Sequence, residues 1–147
     1  MTAVLSPSTV ARVLGLPSRP ALSWADLERR VERGLPPSAA SHVVSEAIPG
    51  GYPALARTLH DALVHPSMRK RKPKLLPAEV GARVERVARV TAAALETWRP
   101  DTESAQRFLG TPHPLLDDRT PLEAALTDLG ARQVEDLLYA ARAGLPL

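Results

Sequence analysis

The sequence predicts an all-α protein, a compact helical chain around a core of Leu, Val and Ala. Three observations carry that expectation. Although 44% of the residues are apolar, only five are aromatic: Trp24, Tyr52, Trp98, Phe108 and Tyr139. Strands draw on aromatic and β-branched residues, so this composition favours helix packed on helix. Apolar residues also recur at the i, i+3, i+4, i+7 spacing of a buried helical stripe, as at Val134, Leu137, Leu138 and Ala141. Finally, starts and stops are punctuated. Thr120 as N-cap, Pro121 at the first helical position and Glu123 three residues after the Thr make a capping box. At 147 residues the chain suits one compact domain, or two small ones sharing a core.

Taken in order, the first helical candidate spans Thr9 to Leu16, bounded by Pro7 and by Pro17 and Pro20. Ser23 then caps a clearer helix ending at Gly34, with Trp24, Leu27 and Val31 along one face. Pro36-Pro37-Ser38 begins the next, whose stripe is Ala40, Val43, Val44, Ala47 and Ile48; Pro49-Gly50-Gly51 breaks it. Tyr52 to Val64 is helical again, with Leu55, Ala56, Leu59 and Leu63 facing inward, until His65-Pro66. A short basic segment, S-M-R-K-R-K, follows. Two short helices, a turn and a third short basic helix are the outline of a helix-turn-helix unit.

Pro77 opens the longest helix, which runs to about Trp98 and spans about 30 Å. Val84, Val87, Ala88, Thr91, Leu95 and Trp98 share its apolar face, and Arg83, Arg86 and Arg89 fall largely outside it. Asp101 or Thr102 caps the next helix, which buries Ala105, Phe108 and Leu109 and stops at Gly110 in the left-handed conformation such ends often need. The helix from Pro121 and a last one closed by Gly144 complete the chain, leaving Leu145, Pro146 and Leu147.

Charge is unevenly spread. Residues 1–68 net +1, residues 69–100 net +6 and residues 101–147 net −4, which suggests two different partners. The basic run Arg69, Lys70, Arg71, Lys72 and Lys74 is either a solvated loop, a partner-protein patch or a set of phosphate contacts. If it enters DNA, Ser67 and Arg69 are best placed for base edges, and Lys70, Arg71 and Lys72 suit phosphates.

Catalysis is not expected. His113 with Asp117 and Asp118 could hold a divalent metal, but no second His lies near, and Pro112 and Pro114 give the ring a turn role. His42, His60 and His65 lie on or beside apolar helices. There is no Cys, so neither a disulfide framework nor a thiolate metal site exists, and there is no Gly-rich phosphate loop or G-x-S-x-G. No cofactor and no metal are expected. No apolar run reaches the length of a membrane span and the start does not read as a secretory signal, so a soluble cytoplasmic protein is expected.

The stretch F-L-G-T-P-H-P-L-L at Phe108 to Leu116, R-T-P-L-E at Arg119 to Glu123 and T-D-L-G-A-R-Q-V-E-D-L-L from Thr127 to Leu138, with Gly144 near the end, resembles the toxin-binding C-terminal domain of the MbcA/ParS/Xre antitoxins. Asp117-Asp118 stands where that family usually has a Gly pair, and the tail reads Leu145-Pro146-Leu147 in place of a short, often aromatic one. The segment from Gly34 to Ile48, with P-A-L-A-R-T-L and S-M-R-K-R-K, also looks like the Xre-type helix-turn-helix of these antitoxins, at about residues 36–73.

The resemblance implies three parts: an N-terminal helical region at 1–75, a connecting helix at 76–100 and a toxin-binding domain at 101–147. It implies a type II antitoxin that inhibits a NAD-degrading RES toxin and binds operator DNA, as a homodimer and as a hetero-oligomer with its toxin. The last helix and tail are the part implied to cover the toxin's cleft. The toxin-facing residues are then Asp136, Tyr139 and Arg142 with Gly144, Leu145 and Leu147, and Arg119 on the neighbouring turn. A cleft built for an anionic dinucleotide suits acidic side chains and a terminal carboxylate. The alternative is a free-standing dimeric helix-turn-helix regulator.

Overall fold

Proline and small polar caps set where the helices begin. The computed structural model describes residues 5–17, 19 and 21–145; Pro20, Pro146 and Leu147 lie outside the described residues. The helices are α1 (Pro7–Val13), α2 (Trp24–Arg33), α3 (Ser38–Ala47), α4 (Pro53–Leu63), α5 (Pro66–Lys70), α6 (Ala78–Trp98), α7 (Thr102–Leu109), α8 (Pro121–Ala124) and α9 (Asp128–Arg142). A 3-10 turn at Pro114–Leu116 sits between α7 and α8, and no strand occurs among the described residues. The fold is all-α, as composition and periodicity predict.

Four of these helices, α1, α4, α5 and α8, carry Pro at the first helical position, where its missing N–H costs nothing. Pro7 is therefore the start of α1, not a boundary before a helix at Thr9; Ser6 caps it by accepting from the Thr9 N–H. Ser23 caps α2 and, with Asp26 reaching back, completes a reciprocal capping box. Asp101 caps α7 by accepting from the Ser104 N–H at 3.1 Å. Gly110 ends α7 at φ −101, so this stop does not use the left-handed conformation.

The centre of the molecule is α6. It packs against α1, α2, α3, α4, α7, α8 and α9, and a hydrophobic core runs along it. The expected face of Val84, Val87, Ala88 and Thr91 is buried, but so are Val90, Ala92, Ala93 and Ala94. Three consecutive buried alanines mean that helices approach from every side there, which only a small side chain permits. Each fully buried Val or Leu contributes on the order of 1.5–3 kcal/mol, so this helix carries much of the fold.

The arginines of α6 do not lie outside the packing. Arg83 donates to the Leu63 carbonyl at the end of α4 (3.1 Å), and Arg86 to the Leu126 carbonyl just beyond α8 (3.0 Å). Arg89 bridges Glu85 on its own helix (2.8 Å) and Glu135 on α9 (2.7 Å). Free carbonyls at helix ends attract cations, so Arg83 and Arg86 fasten neighbouring helices to the spine. Two apolar assignments also change. Trp24 is 46% exposed and Leu55 is 55% exposed, while Leu27, Leu59 and Leu63 hold the buried sides of α2 and α4.

Candidate binding surfaces

Two surfaces combine exposed, chemically distinctive side chains. The first is built by residues 113–145. The His113 ring accepts from the Leu115 N–H (3.1 Å), the His113 N–H donates to the Arg119 carbonyl (3.1 Å), and the Asp118 N–H donates to the His113 carbonyl (3.1 Å). The loop closes only because Asp117 and Asp118 both take the left-handed conformation, at φ 58 and φ 62. Asp is among the few non-Gly residues that tolerate it. That backbone requirement explains how an Asp pair can stand where a Gly pair is usual.

Arg119 leaves this loop with its side chain already placed. Its Nε donates to the Leu116 carbonyl (2.9 Å) and its terminal nitrogen to Gln133 Oε1 on α9 (3.1 Å). The Thr120 hydroxyl then accepts from the Glu123 N–H (3.1 Å) while Glu123 accepts from the Thr120 N–H (3.0 Å), which is the expected capping box. Thr127 caps α9 through the Gly130 N–H (3.1 Å).

Helix α9 buries Val134, Leu137 and Leu138 against the core, as their spacing predicts, with Ala141 half-buried. Glu135 is not on a solvated face: it is held by Arg89, next to Glu85. Burial pushes the Glu85 carboxyl up, against the pull of the Arg89 guanidinium. On the opposite side Leu129, Arg132, Asp136, Tyr139 and Ala143 form one exposed stripe at helical spacing. Leu129 is 73% exposed and Tyr139 72%. Tyr139 is thus one of the chain's five aromatics, yet it is spent on solvent.

Arg142 is half-buried, its Nε donating to the Leu138 carbonyl (3.4 Å). The helix ends in a Schellman motif: the Leu145 N–H donates to the Ala140 carbonyl (2.9 Å) and the Gly144 N–H to that of Ala141 (3.1 Å). Gly144 sits at φ 77, so the turn that presents exposed Leu145 needs its freedom. Asp136, Tyr139, Gly144 and Leu145 therefore share the exposed end of α9, with Arg119 engaged at its flank through Gln133. Leu147 lies outside the described residues.

The second surface is the basic segment. His65 caps the five-residue α5 by accepting from the Ser67 N–H, and its ring also meets the Ser67 hydroxyl at 2.8 Å. Arg69 is ion-paired with Asp61 of α4. Ser67 and Arg69 are therefore engaged within the chain, whereas Lys70, Arg71 and Lys72 are exposed. Lys72 adopts a left-handed conformation at φ 47, which turns the chain after α5. Beneath α5, burial and then the Arg69 charge push the His60 imidazole down from its ordinary range. Its Nδ1 is buried without a partner among the described residues.

No group of three His, Cys, Asp or Glu side chains is placed to hold a metal among the described residues. No helix there is long and apolar enough to cross a membrane. Sequence reasoning overlooked Gly130 and the fastening roles of Arg83, Arg86 and Arg89; for the arginines, an i, i+3, i+6 series of one residue type was the available signal.

Against known proteins, residues 93–144 match the model of the antitoxin Xre/MbcA/ParS C-terminal toxin-binding domain. No curated protein matches the chain significantly.

Proposed function

We propose that this chain, whose residues 93–144 match the Xre/MbcA/ParS C-terminal toxin-binding domain, is an antitoxin and that its target is a NAD-degrading RES toxin. Inhibition is stoichiometric. The exposed end of α9 enters the toxin's substrate cleft and excludes NAD. Asp136 and Tyr139 supply a carboxylate and a rigid amphipathic ring, and Leu145 follows beyond the Gly144 turn. Arg142 and the clamped Arg119 stand at the edges of this surface; Leu147, assigned to the same role by the resemblance, lies outside the described residues. A cleft that holds an anionic dinucleotide is basic, so the −4 balance of residues 101–147 also favours the encounter.

The family match carries this reading, and the exposure of Tyr139 on an otherwise aromatic-poor chain indicates the face. Large aromatic side chains are the usual energetic anchors of interfaces. The test is NAD turnover by the co-encoded toxin, titrated with parent and Tyr139→Ala protein. The variant is expected to need at least tenfold more protein for half-inhibition. A superimposable titration curve would remove α9 as the inhibitory element.

The N-terminal part, in the same proposal, binds operator DNA as a cytoplasmic homodimer and represses its own operon, alone or in a hetero-oligomer with the toxin. Lys70, Arg71 and Lys72 supply phosphate contacts, and Ser67 and Arg69 face base edges once Arg69 exchanges Asp61 for DNA. The supporting observation is the +6 balance of residues 69–100 beside exposed α5. The triple variant Arg69→Ala/Lys70→Ala/Arg71→Ala is expected to flatten the salt dependence of DNA binding, at roughly 0.9 in log–log slope per lost phosphate contact. An unchanged slope would remove this segment from the interface.

A further inference from the structure

A second concentration of positive charge lies outside the α5 segment. Between α1 and α2 is a cleft of about 280 Å³ lined by Arg19 of the connecting loop and Arg29, Arg30 and Arg33 of α2, over Leu22 and Leu27. The Arg19 backbone is braced: its carbonyl accepts from the Ser8 hydroxyl (2.7 Å) and the Leu22 N–H (3.0 Å). Asp26 is the carboxylate that shares the cleft, and it is already committed to the Ser23 N–H (3.1 Å) and to Arg29 (2.5 Å). Arg19 and Arg33 have no side-chain hydrogen bond or ion pair to any described residue, and Arg30 reaches only the Gly34 carbonyl, at 3.5 Å.

Three guanidiniums thus line one cleft without an ion pair to any described residue. Like charges three or four residues apart destabilise a helix. The dipole at the end of α2 offsets only about half a charge. An anion is the missing component, and guanidinium forks match phosphate oxygens in pairs. The cleft is smaller than the roughly 300–1,000 Å³ of small-molecule pockets, so it suits a phosphate group better than a whole dinucleotide.

Its surroundings indicate the source. Leu75 packs so closely on Gly34 that a Cβ there would lie 3.0 Å from it, and the Leu76 N–H donates to the Leu35 carbonyl (2.7 Å). The basic run 69–74 therefore ends against the end of α2 that carries Arg30 and Arg33, and the two positive surfaces meet.

We propose that the α1–α2 cleft is a phosphate-binding site that grips a backbone phosphodiester of duplex DNA beyond the contacts of the α5 segment. The macromolecular source rests on the DNA-binding reading above; the phosphate chemistry does not. The double variant Arg19→Gln/Arg33→Gln changes two exposed side chains and spares the capping box, and unchanged thermal unfolding verifies that it folds.

A labelled duplex from immediately upstream of the coding sequence is titrated over a range of salt. The double variant is expected to lower the log–log slope by about 1.8, for two contacts at roughly 0.9 each. Arg107→Gln/Arg132→Gln, which removes the same charge from α7 and α9, should leave the slope alone; an equal drop there overturns the proposal. In parallel, AMP and inorganic pyrophosphate are titrated by NMR. Binding of either that is lost in the double variant would assign the site to free phosphoryl ligands. Should the parent chain bind no duplex, the DNA-binding reading falls and this second titration alone decides the cleft. An unchanged slope together with no Arg19- or Arg33-dependent anion binding overturns it.

Discussion

Gly130 decides whether α8 and α9 can meet. It occupies the third position of α9 in ordinary helical conformation, where Ala would by propensity be better by about 1 kcal/mol. A Cβ built there, however, would lie 1.8 Å from the Ala124 carbonyl oxygen and 2.6 Å from its carbon. A C···O contact needs about 3.3 Å, so the two helices would have to separate by about 1.5 Å. The obstacle is backbone, which cannot swing aside. A radial gap of even 0.5–1 Å forfeits a quarter to a half of the dispersion energy across a packed contact, and overpacking costs about 1–3 kcal/mol. Taking the upper end and subtracting the propensity gain, Gly130→Ala should destabilise by about 2 kcal/mol. In a chain of this size that lowers Tm by about 4–8 °C. Gly110→Ala is the matched control, since its nearest contact would be an ordinary 3.5 Å and its φ is −101. It should stay within about 0.5 kcal/mol of the parent. Denaturant unfolding of both variants supplies the comparison. A Gly130→Ala protein as stable as the parent, or more so, would refute the close approach of α8 and α9.

Thr120→Ala should cost about 1 kcal/mol by removing the acceptor for the Glu123 N–H, read as a lowered denaturant midpoint. Thr91 is fully buried with its hydroxyl unpaired among the described residues, so Thr91→Val should raise stability by about 1 kcal/mol in the same assay. The Asp101 carboxyl is held below its ordinary range by the Ser104 hydroxyl and N–H. A depressed carboxyl stabilises above its unfolded pKa and loses that contribution as pH falls through its folded value. Asp101→Asn keeps an N-cap acceptor, so acid titration of stability should show a shallower loss in the variant than in the parent.

Helix positions and starts were legible in the sequence because their causes are local. A Ser, Thr or Asp acceptor satisfies N–H groups two or three residues away, and Pro at the first position sacrifices no bond; Ser23, Asp101, Thr120 and Pro121 needed no partner from elsewhere. The exposed end of α9 was legible as well, since the spacing of Val134, Leu137 and Leu138 turns Asp136 and Tyr139 outward. What periodicity could not reveal was how many neighbours a helix has. The one-sided stripe read on α6 became burial on every side at Ala92, Ala93 and Ala94, because seven other helices pack along it. For the same reason Arg83, Arg86, Arg89 and Glu135, polar by type, became fasteners between helices: their partners lie 20, 40 and 46 residues away. Gly110 and Gly130 exchanged importance likewise. A glycine's local meaning is a permitted φ, but at Gly130 the deciding quantity is the distance to a carbonyl in another helix, which exists only after α8 and α9 have packed.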